Sequence, residues 1–319
     1  RSPNFVVKYT IGSGKRWSDG TPITADDLLM THITSSNAYS IAAGLGDPDN
    51  TEKKPAFDSL GYSGTYNQLI KSVAVDSGRR SLTVTWEKFF PDWELYTPGV
   101  FPVHAITALA LGETKLGTGA HNSALKNRFL KAYNTKDTAL LSKIGKVWST
   151  GYNLTSIDEK TNPLLLVCNG AYQVTKVVKD QTVTLKANPR YNSGPKTNGI
   201  DTVVIKTISD ATAAAQALAN KEADIFEVAS ATGDSVAALK KISGIVVDGV
   251  EQATYEHVEV RSGKMDGAKD YTGPFDGMTQ KAKDLRTAFL LALPREEIMA
   301  KLIAPINGVT KPIQSTWVS

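Results

Sequence analysis

Lys15-Arg-Trp-Ser-Asp-Gly-Thr-Pro-Ile-Thr-Ala-Asp-Asp27 is the stretch on which the reading of the fold turns. Within it, Ser18-Asp-Gly-Thr-Pro22 is dense turn chemistry: Asp-Gly supplies a tight turn and Pro22 fixes its own φ. Thr24-Ala-Asp-Asp27 has the form of a capping box, with Asp in place of the usual Glu. It predicts a helix start, after which Leu28, Leu29 and Ile33 share one apolar face. Upstream, Phe5 to Ile11 reads as a strand. Gly12-Ser-Gly-Lys15, between strand and turn, looks like the end of a phosphate loop and fails in detail. Arg16 stands where Mg²⁺ needs Ser or Thr, and the upstream glycine is missing. A flexible turn is expected there.

Outward from this stretch, residues 44 to 66 are rich in Gly, Pro, Asp and Tyr and read as a long loop. Ile70 to Val75 and Leu82 to Trp86, across Asp76-Ser-Gly78, read as a hairpin. In the second run Leu82, Val84 and Trp86 alternate with threonines, the mark of a half-buried strand. Residues 121 to 160 look helical. Tyr172 to Thr175 and Gln181 to Lys186 are expected to pair across residues 178 to 180, and Asp201 to Ile205 is a further strand. Beyond residue 207 the composition shifts. Asp210 is expected to cap an alanine-rich helix from Ala211 to Asn220. Ala223 to Phe226 and Ile245 to Val247 read as short strands around a helix that starts at Asp234. That alternation predicts an α/β region. Asp284 to Leu293 and Arg295 to Ile303 read as helices, with Pro294 at the first turn of the second.

The 319 residues suffice for two ordinary domains. Hydrophobic residues are 41% and charged residues 21%, the balance of a globular chain with a sizeable core. The 36 basic and 32 acidic residues are interspersed and leave a net charge of +4. No basic run marks a nucleic-acid or membrane surface, and no apolar run of about 18 residues marks a membrane span. The lone cysteine, Cys168, follows Leu164-Leu-Leu-Val167 and is expected to be a small buried hydrophobe.

Chemistry is sparse. His32, His104, His121 and His257 lack metal-pair spacing, so no metal site is expected. Ser123-Ala-Leu-Lys126 matches the Ser-x-x-Lys spacing of penicillin-recognising enzymes, without the companion elements that make it a site. Asp26-Asp27 and Glu296-Glu297 fall at helix starts, where negative charge complements the helix dipole. Phe89-Phe-Pro-Asp-Trp93 places three large rings beside a proline. Such rings line clefts for flexible ligands, but more often they are core.

The stretch from Lys15 to Asp27 resembles the signature of the extracellular solute-binding proteins of ABC transporters, in the oligopeptide, dipeptide and nickel branch (family 5). Three further blocks follow in the family's order: Asn169-Gly-Ala-Tyr172 with Asn188-Pro-Arg-Tyr191; Ile208 to Phe226 with Lys221-Glu-Ala-Asp224; and Leu285-Arg-Thr-Ala288 with Arg295-Glu-Glu-Ile298. Lys221 stands where the family has glycine, and Pro294 where it has an aspartate cap.

The resemblance implies an α/β, periplasmic-binding-protein-like two-lobed fold with mixed sheets, truncated at both ends. Residues 1–206 would form most of lobe I, with its inserted subdomain, and residues 207–319 the first part of lobe II. The implied function is to capture a small ligand, favoured as a peptide, between the lobes and deliver it to ABC permease subunits. An oligosaccharide or metal-chelate binder, a ligand sensor, and a serine hydrolase using Ser123 and Lys126 remain alternatives. No cofactor, no catalytic residue and no nucleic acid are implied. The protein would be an extracellular or periplasmic monomer, anchored through an N-terminal lipid that precedes this chain. By resemblance, the Cys168-Asn169-Gly170 loop and the segment holding Tyr255, Glu256 and His257 lie near the ligand. Phe90 and Trp93 are added from the aromatic pattern.

Overall fold

The computed structural model describes residues 5–50, 52–228, 231–249, 256–263 and 273–313. The chain divides into two compact units, Arg1–Thr207 and Ile208–Ser319.

The first unit opens with β1 (Val6–Thr10). The signature stretch then leads into a single 3-10 turn, Ala25–Leu28, and on to α1 (Leu29–Ser35) and α2 (Asn37–Ala42). The predicted capping box forms: Thr24 and Asp27 bond each other's backbone reciprocally. Leu28, Leu29 and Ile33 are all buried, as their spacing requires. α3 (Gly64–Leu69) runs straight into β2 (Ile70–Val75), and a tight turn leads to β3 (Ser81–Trp86). The three strands form an antiparallel sheet of order β1-β3-β2. The central strand, β3, turns Leu82, Val84 and Trp86 into the core.

α4 (Val103–Ala110), α5 (Gly119–Thr135) and α6 (Thr138–Lys146) contribute the other side of that core. Phe129, Leu141 and Ile144 pack in one cluster with Leu29, Ile33 and Trp86. α6 ends in a wider π turn, Val147–Gly151, so the helical region stops short of the expected residue 160. Lys136 breaks α5 from α6 by adopting a left-handed φ of 53°, and Asp137 then caps α6 through Leu140 N–H.

A second antiparallel sheet completes this unit: β4 (Tyr172–Val178), β5 (Thr182–Ala187) and β6 (Thr202–Lys206), in that order. Val178 pairs with Thr182, so it belongs to the strand, and Asp180, at φ 58°, makes the turn. The mixed sheets expected of the whole fold are not assembled among the described residues, where every strand pair is antiparallel.

In the second unit the regular elements among the described residues are helices: α7 (Ala211–Ala219), α8 (Gly233–Lys240), α9 (Gln280–Ala292), α10 (Arg295–Ile298) and α11 (Ala304–Asn307). Asp210 caps α7 as predicted, accepting Ala213 N–H at 2.7 Å. α8 is capped by Thr232 with Ser235, not by Asp234, which sits in the first turn. α10 is shorter than the expected helix to Ile303, because the backbone widens into a π turn at Met299–Ile303. The two short strands are corrected: neither 223–226 nor 245–247 pairs with a strand among the described residues. Ile225 is 88% exposed and Val246 90%. Runs of three or four residues without a hydrogen-bonded neighbour have no ladder to hold them extended.

Candidate functional site

The turn at Trp17 to Gly20 is fixed from beneath. Trp17 is buried and donates its indole N–H to Asp27 Oδ2 at 3.2 Å. The same oxygen accepts Thr24 N–H at 2.9 Å and Lys126 Nζ at 2.5 Å. Lys126 also donates to the carbonyl of Pro22 at 2.8 Å. Both charged side chains are sealed from solvent. Burial pushes the Asp27 carboxyl above the ordinary carboxylate range, opposed by the Lys126 ammonium and the Thr24 and Trp17 donors. Asp26, also fully buried, accepts Arg79 Nε at 2.8 Å.

Asp19 braces the turn sideways. Its carboxylate accepts Thr21 N–H at 2.9 Å, Thr21 Oγ–H at 3.0 Å and Asn122 Nδ2 at 3.2 Å, and lies 2.9 Å from His104 Nε2. Burial alone would raise its pKa, but the bonds from His104 and Thr21 outweigh that and hold it below the usual range.

Above this base, three sequence-distant segments meet. Ser18 N–H donates to the carbonyl of Cys168 at 2.8 Å, and Cys168 N–H donates back to Ser18 Oγ at 3.1 Å. Arg190 donates to the carbonyl of Ser18 at 3.2 Å and lies over Gly20. A Cβ on Gly20, whose φ is 93°, would come 3.1 Å from Arg190 Nε. Buried Asn188 donates Nδ2 to the carbonyl of Gly170 at 2.9 Å, and its backbone N–H donates to the carbonyl of Ala171 at 2.8 Å. Asn192 Nδ2 reaches the carbonyl of Gly14 at 3.0 Å, and Lys15 reaches back to the carbonyl of Asn192.

The loop from Cys168 to Gly170 is thus held by its backbone on two sides. Asn169 is half-buried, and its side-chain amide has no hydrogen-bond partner among the described residues. Gly170 is exposed. Cys168 is half-buried rather than buried, since its neighbours Leu164 and Val167 take the interior positions. The loop offers polar recognition groups and no nucleophile–base pair.

The other sequence candidates lie elsewhere. Phe90 stacks on Trp86 at 6.2 Å and meets Tyr96 edge-on at 5.8 Å; Trp93 meets Phe5 at 6.1 Å. Both rings pack partly buried against the first core. Phe89, by contrast, is 63% exposed. Tyr255 lies outside the described residues. Glu256 and His257 are exposed in the second unit, with His257 Nε2 2.9 Å from Glu259 Oε1.

The Ser123–Lys126 reading is overturned. Ser123 is exposed and donates to the carbonyl of Gly119 at 2.8 Å, one turn back. Lys126 faces the interior and is committed to Asp27, so it does not serve that hydroxyl as a base. Among the described residues no His, Cys, Asp or Glu cluster could hold a metal ion, and no helix is long and apolar enough to cross a membrane.

The sequence profile of the bacterial extracellular solute-binding proteins, family 5 Middle, matches residues 3–318. The chain belongs to that family. The "Probable ABC transporter-binding protein" of Deinococcus radiodurans is 24% identical over 229 residues, covering 66% of this chain and 30% of the relative. Among solved structures, the periplasmic EDTA-binding protein EppA is similar over 74% of this chain and 34% of its own, with 22% identity and a TM-score of 0.44. The oligopeptide-binding protein from Thermus thermophilus, complexed with a pentapeptide, is similar over 68% and 31%, with 15% identity and a TM-score of 0.38. The chain spans about a third of the length of these relatives. Family membership meets the expectation raised by the signature stretch.

The sequence missed the partners of that stretch. Asp26-Asp27 read only as charge complementing a helix dipole; both do lie in the first turn, and both are also interior and ion-paired. No local signal could have linked Asp27 to Lys126, 99 positions away.

Proposed function

We propose that the protein is the ligand-capturing component of an ABC importer, and that its ligand is a peptide. The observation that carries this reading is the meeting of three family motif segments around Cys168 to Gly170, with the Asn169 side-chain amide unpaired among the described residues. A peptide is recognised largely through its backbone amides. A side-chain amide with no partner among the described residues, beside the exposed Gly170, offers such a ligand both donors and an acceptor. The ring packing of Phe90 and Trp93 favours a core role for both, so the proposal rests on the loop. Glu256 and His257, exposed, are carried as further contacts to be tested singly, together with Tyr255.

On this reading residues 1–206 supply most of lobe I and residues 207–319 the start of lobe II; the division of the chain at Thr207 supports it. The protein acts outside the cytoplasmic membrane as a lipid-anchored monomer, hands its ligand to permease subunits, needs no cofactor and transforms nothing. The commitment of Lys126 to Asp27 supports the last point, since it removes the base from the one hydrolase pattern in the sequence.

The test is thermal unfolding against pools of di- to hexapeptides, oligosaccharides and metal chelates. A ligand that binds only the folded state raises the midpoint by mass action, by about 2.7 kcal/mol of stability at a hundredfold excess over Kd. A shift with peptides alone is expected. A shift confined to sugars or chelates would replace peptide by that class.

A further inference from the structure

Ser18 sits between two sets of contacts. Beneath it, Trp17 is tied to Asp27, which also holds Lys126, and Asp19 is tied to His104 and Asn122. Above it, Ser18 exchanges two hydrogen bonds with Cys168, at 2.8 and 3.1 Å. One of the two uses the side chain: Oγ accepts the Cys168 N–H, a donor with no other acceptor among the described residues. Its carbonyl is taken by Arg190 at 3.2 Å. So every hydrogen-bonding group of Ser18 faces the second sheet's loops, while its two neighbours are anchored in the first sheet's helices.

We propose that Ser18 is the positioning residue of the Cys168–Gly170 loop, transmitting the rigidity of the buried Asp27–Lys126 base to the backbone that presents Asn169. The proposal rests on the reading of that loop as ligand-facing. A backbone pinned at Cys168 and again at Gly170, through Asn188, leaves Asn169 between two fixed points. A recognition group held in this way loses less conformational freedom when ligand arrives. Ser18 touches no ligand in this scheme; it acts through Cys168.

Cys168 reports on the clasp directly, because it is the single cysteine in the chain and is half-buried. The protein is alkylated with iodoacetamide well below its unfolding midpoint, and the rate is read on the tryptic peptide 161–176. Ser18→Ala removes the Oγ acceptor and is expected to raise the Cys168 rate about fivefold, the effect of one lost hydrogen bond on a local opening equilibrium. Ser18→Thr, which keeps the hydroxyl, is expected to restore the wild-type rate within about twofold. Should Ser18→Ala fail to fold, Arg190→Gln loosens the same turn from outside and is expected to give a smaller increase. Rates unchanged in both variants would overturn the clasp. Binding of a defined tri- to hexapeptide pool is measured in parallel. A faster Cys168 with weakened pool binding supports the proposal. A faster Cys168 with pool binding unchanged would leave the clasp standing and overturn its role in binding. If the pool does not bind the wild type at all, the peptide reading fails, and alkylation still decides the clasp.

Discussion

Lys126 places its Nζ 2.5 Å from Asp27 Oδ2, with both side chains closed to solvent. The pair joins α5 to the capped turn that opens α1, and through Trp17 it reaches the signature turn. Removing one partner of such a pair leaves the other charge buried and unpaired. Lys126→Met is therefore expected to cost about 3–5 kcal/mol in urea unfolding. Combined with Asp27→Asn, which keeps the cap without the charge, the loss should be less than the sum of the single losses by about 1–3 kcal/mol. Strict additivity would show that the two groups do not act as a pair.

His32 gives the stability curve an acid limb. Burial lowers its pKa to about 4, while Nδ1 lies 2.9 Å from Tyr66 Oη. The unfolded chain takes up a proton near pH 6.5, and the folded chain does so only near 4. Between these values the unfolded state binds more protons, so stability falls as pH falls through that window, by up to about 3 kcal/mol. The remaining titratable neighbours, Tyr39, Tyr66 and Tyr133, are neutral throughout it. His32→Gln should flatten this part of the curve, as measured by urea unfolding at pH 7, 5.5 and 4.5.

The capping box of the turn at Ala25–Leu28 was legible because every part of it lies within four residues, and so was β3, whose alternation of Leu82, Val84 and Trp86 with threonines is a local period. The ion pairs were not, because Asp26 and Asp27 look like any acidic helix start until Arg79 and Lys126 are folded onto them. Apolar runs misled in the opposite sense. Ile225 and Val246 have strand-like neighbours in sequence, yet among the described residues they have no laterally bonded partner of the kind that makes a run of residues a strand. At the candidate site, the Asn-Gly and Asn-Pro blocks could be recognised by resemblance. Their meeting with Ser18 depends on contacts 150 positions apart, for which a single sequence carries no signal.

Gly20 and Gly14 separate two costs. Both have left-handed backbones, at φ 93° and 72°. A methyl group on Gly20 would press on Arg190, while one on Gly14 meets nothing within 4 Å. Gly14→Ala should lose about 1 kcal/mol from backbone strain alone. Gly20→Ala should lose about 1–2 kcal/mol and also displace Arg190 from the Ser18 carbonyl. Equal midpoints for the two variants would show that Arg190 yields freely.

Phe89 and Phe90 are adjacent and unlike. Phe90 stacks on Trp86 and meets Tyr96 edge-on, whereas Phe89 is largely exposed beside Phe5. Phe90→Ala is expected to cost about 1–3 kcal/mol, and Phe89→Ala less than about 1 kcal/mol. A large loss at Phe89, measured by thermal unfolding, would mean that its ring is covered in solution.

The sheet order β1-β3-β2 also sets a schedule. Of the three strands β1 is synthesised first, yet its only strand partner among the described residues is β3, which ends at Trp86. The turn that follows β1 waits longer, for Lys126, and Ser18 waits for Cys168. A nascent chain that has emerged only as far as residue 120 carries Trp17, Asp26 and Asp27 without the ammonium that neutralises Asp27. The signature turn, made early, is therefore completed only by partners made later, at Lys126 and Cys168.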